Sequence, residues 1–161
     1  AGSRHCALRN HASRISEAAV HVRAMTPADA AIVARLATQL GYPATPADIA
    51  RRLAALLGSG DHGLFVAEDA GGAVAGWVHI HGRRLLEAEP FAEIGGLVVD
   101  EACRGQGAGR ALMAEAERWA AEHGYAEVCV RSNVIRHEAH RFYQRLGYRP
   151  VKAQHIFRKP V

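Results

Sequence analysis

The sequence predicts an α/β (α+β) domain, one mixed and mostly antiparallel sheet with helices on its faces, in the order β-α-α-β-β-β-α-β-α-β. Three observations lead there. The length of 161 residues suits one domain, and burial of roughly 68–70% of the unfolded surface at this size needs no disulfide or metal. Apolar periodicity switches between strand-like alternation and helical spacing along the chain. Two helix starts carry the same signal, Thr26-Pro27-Ala28-Asp29 and Thr45-Pro46-Ala47-Asp48. Each has a threonine N-cap, proline at the first helical position and an acid closing a capping box.

The elements follow in order. Residues 1–18, "AGSRHCALRNHASRISEA", read as a disordered, processed or vector-derived tail, and residues 19–161 as the domain. The tail is Arg- and Ser-containing and poor in acids, a composition an organellar transit peptide shares. "AVHVRAM" (19–25) alternates as a first strand. A helix from Thr26 to about Leu40 comes next. A second helix carries Ile49, Leu53, Leu56 and Leu57 on one face and stops at Gly58. "LFVAED" (64–69) and "AVAGWVHIHG" (73–82) form an antiparallel hairpin. "RRLLEAEP" (83–90) reads as a loop, and "FAEIGGLVVD" (91–100) as a strand whose Gly95-Gly96 marks a bulge or a close backbone approach. A helix over 107–123, a buried strand over 125–132, a helix over 136–146 and a last strand "PVKAQHIFRK" complete the order.

Composition narrows the function. The formal net charge is +4, of which the tail carries +2 from three arginines and one glutamate. The remaining +2 and the absence of a Lys/Arg run argue against a nucleic-acid partner. The apolar runs are too short for a membrane span, which needs about 18 residues or more. Cys6, Cys103 and Cys129 are odd in number and widely spaced, as free thiols of a reducing, cytoplasmic compartment would be.

The chemistry centres on "CRGQGAGR" (103–110). It joins a strand end to a helix start, where unpartnered N–H groups and a partial positive charge favour phosphate. Gly105, Gly107 and Gly109 let the backbone approach a diphosphate, and Arg104 and Arg110 add charged donors. The stretch lacks the Lys-Ser/Thr of a Walker A loop and the G-x-G-x-x-G spacing of a dinucleotide fingerprint.

Arg104-x-x-Gly107-x-Gly109 after "LVVDEAC" resembles the acyl-CoA pyrophosphate motif of the GNAT acetyltransferases. "SNVIRHEAHRFYQRLGY" (132–148) resembles the segment that follows it in that superfamily, and the likeness extends over residues 20–160. The resemblance implies acetyl-CoA as the acetyl donor and no metal. Backbone from Arg104 through Gly105, Gln106, Gly107, Ala108 and Gly109 to Arg110 would cradle the pyrophosphate. Leu97, Val98 and Val99 would pair with the pantetheine arm and offer an amide to the thioester oxygen. Tyr143 would be the general acid that protonates the departing thiolate, and Asn133 would bond the pantetheine or nearby backbone. The Asn133-to-Tyr143 spacing of ten residues exceeds the commonest pattern.

A base must take the proton of the amine. Glu93 is one candidate, with a solvated strand-edge acid as the alternative. His79 and His81 share a face of their strand and either line the acceptor cleft or meet solvent. Two histidines at this spacing without a third ligand are poor evidence for metal. Asp61, Glu87, Glu89, Glu93 and Asp100 fall near the expected cleft, which suits a small cationic, polyamine-like acceptor, while "ATQLGYPATPADIARRLAAL" (37–56) resembles GNAT members of the small-molecule and aminoglycoside type, a likeness that implies an aminoglycoside acceptor. A protein N-terminal or lysine acetyltransferase, and a CoA-binding module without catalysis, remain as alternatives. The resemblance also leans towards a homodimer.

Overall fold

The structure is a computed structural model and describes residues 20–161. The expected tail 1–18, with Cys6, lies outside the described residues. Five strands make one sheet, ordered as in the chain: β1 (His21–Ala24), β2 (His62–Glu68), β3 (Val74–Leu85), β4 (Ala88–Val99) and β5 (Val128–Val130). Neighbours pair antiparallel except β4 and β5, which run parallel. Parallel strands need a crossover, and helix α3 (Ala108–Glu122) supplies it. Helices α1 (Ala30–Leu40) and α2 (Pro46–Leu57) lie between β1 and β2, and α4 (His137–Arg145) follows β5. Among the described residues, no helix is long and apolar enough to cross a membrane.

Strand alternation sorts the apolar side chains into two cores. Val78, Ile80, Ala92 and Ile94 join Leu112, Met113, Ala116 and Trp119 of α3. Leu64 and Val66 join Met25, Val33 and Leu53 on the α1–α2 side. Ile80 and Leu112 are fully buried, so truncating either to alanine costs roughly 2–5 kcal/mol.

Both helix starts use their capping acid. The Asp48 amide donates to Thr45 Oγ1 at 3.1 Å, and the Thr45 amide donates to the Asp48 carboxylate at 3.2 Å. At the first site the Thr26 amide donates to Asp29 at 2.7 Å, while the Arg23 guanidinium grips both Asp29 oxygens at 2.8 Å. That arginine holds the Asp29 carboxyl down to about 2. Residues 27–29 consequently form a tight 3-10 turn, and the α-helix begins only at Ala30.

Four expectations need correction. Residues 83–90 are not a loop: β3 runs to Leu85 and β4 starts at Ala88, leaving Leu86-Glu87 as the turn. Charged Arg83 and Arg84 suggested a loop, but a strand edge facing water accepts charge as readily. The buried strand expected over 125–132 shrinks to Val128–Val130, because Tyr125 instead stacks on Trp119. Leu57 is exposed at the end of α2 rather than packed with Leu53. The last strand is absent: residues 149–161 form no helix or strand, and Ile156 and Phe157 are exposed. β5 offers only three residues of edge, and Pro150 and Pro160 lack an N–H for a ladder.

Candidate active site

The site begins where β4 stops pairing with β5. The parallel ladder covers Ala92–Ile94 and ends at Ile94 opposite Val130. Beyond it, Gly95–Val99 has no strand partner on that side among the described residues, although Leu97, Val98 and Val99 still pair with Val78, Trp77 and Gly76 of β3 on the other. An unpaired strand edge offers its N–H and C=O groups to an extended ligand. The side chains of Leu97 and Val99 meanwhile pack on the α3 core, and Val98 is buried.

The register slips by one residue between His79 and Ile80, opposite Gly96 and Ile94. This is the bulge expected from the glycine pair, and the reason is close approach. A Cβ on Gly96 would lie 2.8 Å from the Trp77 ring, and one on Gly95 would lie 3.0 Å from His79 Nδ1. The two glycines thus give room to two side chains of β3.

After Asp100 the chain makes a short 3-10 turn and enters the glycine stretch. Gly105 and Gly107 have φ of +79° and +90°, left-handed backbone that favours glycine. Gly107 is the N-cap of the fifteen-residue α3. The space a Cβ would take on either glycine is open to 4 Å, so a bulky anion can reach the backbone there. Gly109 packs closely, with a Cβ position 3.3 Å from Phe142 and 3.5 Å from Val99. Arg104, Gln106 and Arg110 are exposed and Ala108 is buried. Arg104 is paired loosely with Glu101 at 3.6 Å. The residues present therefore fit a diphosphate.

Tyr143 lies on α4 and packs against the core that also holds Leu97 and Val99. Its hydroxyl has no hydrogen-bond partner among the described residues, and burial pushes its pKa up while Arg136 opposes this. A phenol so placed stays protonated at neutral pH, as an acid must. Asn133 is used locally: its Oδ1 accepts from the Ile135 amide at 3.2 Å and its carbonyl accepts from the Arg136 amide, leading into α4. Glu93 is buried, with Oε2 3.2 Å from Arg131 Nε and 3.8 Å from Arg83 Nε.

A cavity of about 390 Å³ opens between α1, α2 and the sheet. Val33, Leu53, Leu56 and Trp77 form much of its wall, and His79 and Gly95 form its edge towards the bulge. None of the expected acids lines it. Asp61 accepts from the Tyr125 hydroxyl at 2.6 Å and from Arg84 at 2.8 Å. Asp100 pairs with Arg35 at 2.7 Å and caps the Ala102 amide at 3.1 Å. Glu87 sits on the hairpin turn.

The sequence reading missed the third histidine of this face. His62 on β2 lies directly across from His81, and its Nδ1 is 2.8 Å from His79 Nε2. Ring centroids in the trio are 5.1–5.5 Å apart. A plain register count back from the turn at 69–73 would have set His62 opposite Ile80, because the pairing slips by one residue between Ala67 and Glu68. Burial, then the neighbouring imidazoles, lowers His79 to about 4, so it is neutral at physiological pH. Among the described residues, no group of three or more His, Cys, Asp or Glu is arranged to hold a metal ion.

The model of the acetyltransferase (GNAT) family matches residues 31–148. An aminoglycoside N(6')-acetyltransferase type 1 of Stenotrophomonas maltophilia is 29% identical over 144 residues, 87% of this chain and 93% of the relative. An aminoalkylphosphonate N-acetyltransferase of Salmonella typhimurium is 39% identical over 79 residues, 48% of this chain and 51% of the relative. In fold, the chain is similar to the aminoglycoside N-acetyltransferase AAC(6')-Iy solved in complex with CoA. The TM-score is 0.79 at 18% identity, covering 89% of this chain and 97% of that one.

Proposed function

Because the chain belongs to the acetyltransferase (GNAT) family and is an acyltransferase, we propose that it transfers an acetyl group from acetyl-CoA directly to the primary amine of a small molecule. The observation that carries this reading is a continuity. The unpartnered edge of β4 leads, through one short turn, into the open positive-φ glycine stretch at the start of α3. A thioester arm along the first and a diphosphate on the second would belong to one ligand.

In this reading the backbone of Arg104–Arg110 holds the diphosphate, with Arg104 and Arg110 as charged donors. Leu97, Val98 and Val99 supply backbone to the arm, and an amide there aimed at the thioester oxygen would be worth about 10²–10³ in rate. Tyr143 keeps its proton until it delivers it to the departing thiolate. Asn133 contributes by fixing the turn before α4 and so the placement of Tyr143. Glu93 is the proposed final proton acceptor. It does not line the cavity; His81 lies directly across the strand pair from it, and His79 borders the cavity.

The aminoglycoside names of relatives support an amino sugar as one acceptor to try. The test is calorimetric titration with acetyl-CoA, followed by mass spectrometry of amines incubated with the complex. Saturable one-site binding and an amine heavier by one acetyl group are expected. Absence of acetyl-CoA binding would contradict the reading.

A further inference from the structure

The cavity between α1, α2 and the sheet has a chemistry that narrows the acceptor, given the reading above. Its wall is apolar: Met25, Val33, Leu53 and Leu64 are buried core residues, and Ile49 and Leu56 pack beside them. Its polar lining is short. Arg52 brings positive charge, Tyr42 is largely exposed, and no carboxylate among the described residues faces the space. Trp77 Nε1 is buried without a hydrogen-bond partner among the described residues. That nitrogen has almost no exposed surface, so it does not open into the cavity, and Trp77 adds ring carbons to an apolar wall. His79 offers a neutral imidazole at the edge nearest the β4 bulge.

These features disfavour a polycation. Several ammonium groups would lose water against leucine and valine side chains with no carboxylate to replace it, and Arg52 would repel them. A single amine on an apolar body loses little. Its body fills the wall, and its nitrogen meets the imidazole of His79 beside Gly95. The volume falls within the range of roughly 300–1,000 Å³ typical of small-ligand pockets.

We propose that this cavity is the acceptor site and takes a monoamine on an aromatic or branched alkyl body, with its nitrogen against His79. In the reaction the amine nitrogen bonds to the acetyl carbon and the carbon–sulfur bond breaks. The amine proton passes to His79, and the thiolate takes a proton from Tyr143.

The experiment is thiol release from acetyl-CoA with the full chain, using tryptamine, phenethylamine, 5-methoxytryptamine, spermidine and kanamycin as acceptors. Acetyl-CoA affinity is measured in parallel by calorimetry. The inference expects the arylalkylamines to exceed spermidine and kanamycin at least tenfold in kcat/KM. Filling the cavity with Ile49→Trp should raise the KM for the amine tenfold or more while acetyl-CoA affinity stays within about twofold. Kanamycin or spermidine preferred over the arylalkylamines, or an Ile49→Trp enzyme that binds acetyl-CoA and keeps its amine KM, would overturn it. Loss of acetyl-CoA binding in the wild-type chain would instead refute the acetyltransferase reading itself.

Discussion

At the scale of single residues, Tyr143 and His79 divide the proton chemistry by environment. Both are largely buried, and burial disfavours the charged form of each. The phenol is therefore kept protonated and the imidazole kept neutral. Tyr143→Phe should lower kcat about 10²-fold or more and leave the acetyl-CoA Kd unchanged, measured by thiol release and calorimetry. Equal loss of both would assign the ring to packing. His79 makes a second prediction, for stability. Its folded pKa is about 4, below the ordinary value of 6.5. Between those values the unfolded chain binds the proton more readily, so stability is full above about pH 6.5 and falls as pH drops towards 4, by up to about 3 kcal/mol. The groups facing it are His62 from β2, His81 from its own strand and Gly95 from β4, with Asp61 beside His62. The urea midpoint should drop steeply between pH 6.5 and 4.5, and His79→Gln should flatten that drop. An unchanged slope would show that the cluster is better solvated than its packing implies.

At the scale of elements, the sequence was most informative where a local rule acts alone. The repeated Thr-Pro-Ala-Asp signal located both helix starts. Thr45→Ala should cost roughly 1 kcal/mol in denaturant unfolding, because the Asp48 amide loses its acceptor. The glycine pair of β4 announced a bulge, and the glycine run announced the start of α3. The run also yields a sharper test. Gly107 holds φ of +90° at the N-cap of α3, and its Cβ position faces open space. Gly107→Val should therefore cost backbone strain of about 1–3 kcal/mol without a steric clash inside the protein. It should abolish acetyl-CoA binding in calorimetry while circular dichroism still shows the helices. What the sequence hid were features set by register and pairing. Arg83 and Arg84 read as loop because charge on a strand's solvent face leaves no distinct mark. His62 joined His79 only through cross-strand register. The acids near the cleft, Asp61 and Asp100 above all, looked available because their partners, Tyr125, Arg84 and Arg35, are distant in sequence or helix-borne.

At the scale of the whole molecule, the fold opens its own sheet to make a site. The α3-side core holds both β3 and β4 and the other core reaches β3 through Val74 and Trp77, while β5 follows β4 for three residue pairs and then departs. The unpartnered edge, the glycine stretch and the α1–α2 cavity all adjoin β4 between Gly95 and Val99. In the proposed reading this arrangement brings two substrates to one strand, and the acetyl group passes between them without a covalent enzyme intermediate. The most direct test is an initial-rate study of thiol release with acetyl-CoA and the amine varied together. Direct transfer within one complex predicts intersecting double-reciprocal lines and no release without amine. Parallel lines, or release that does not depend on amine, would contradict it.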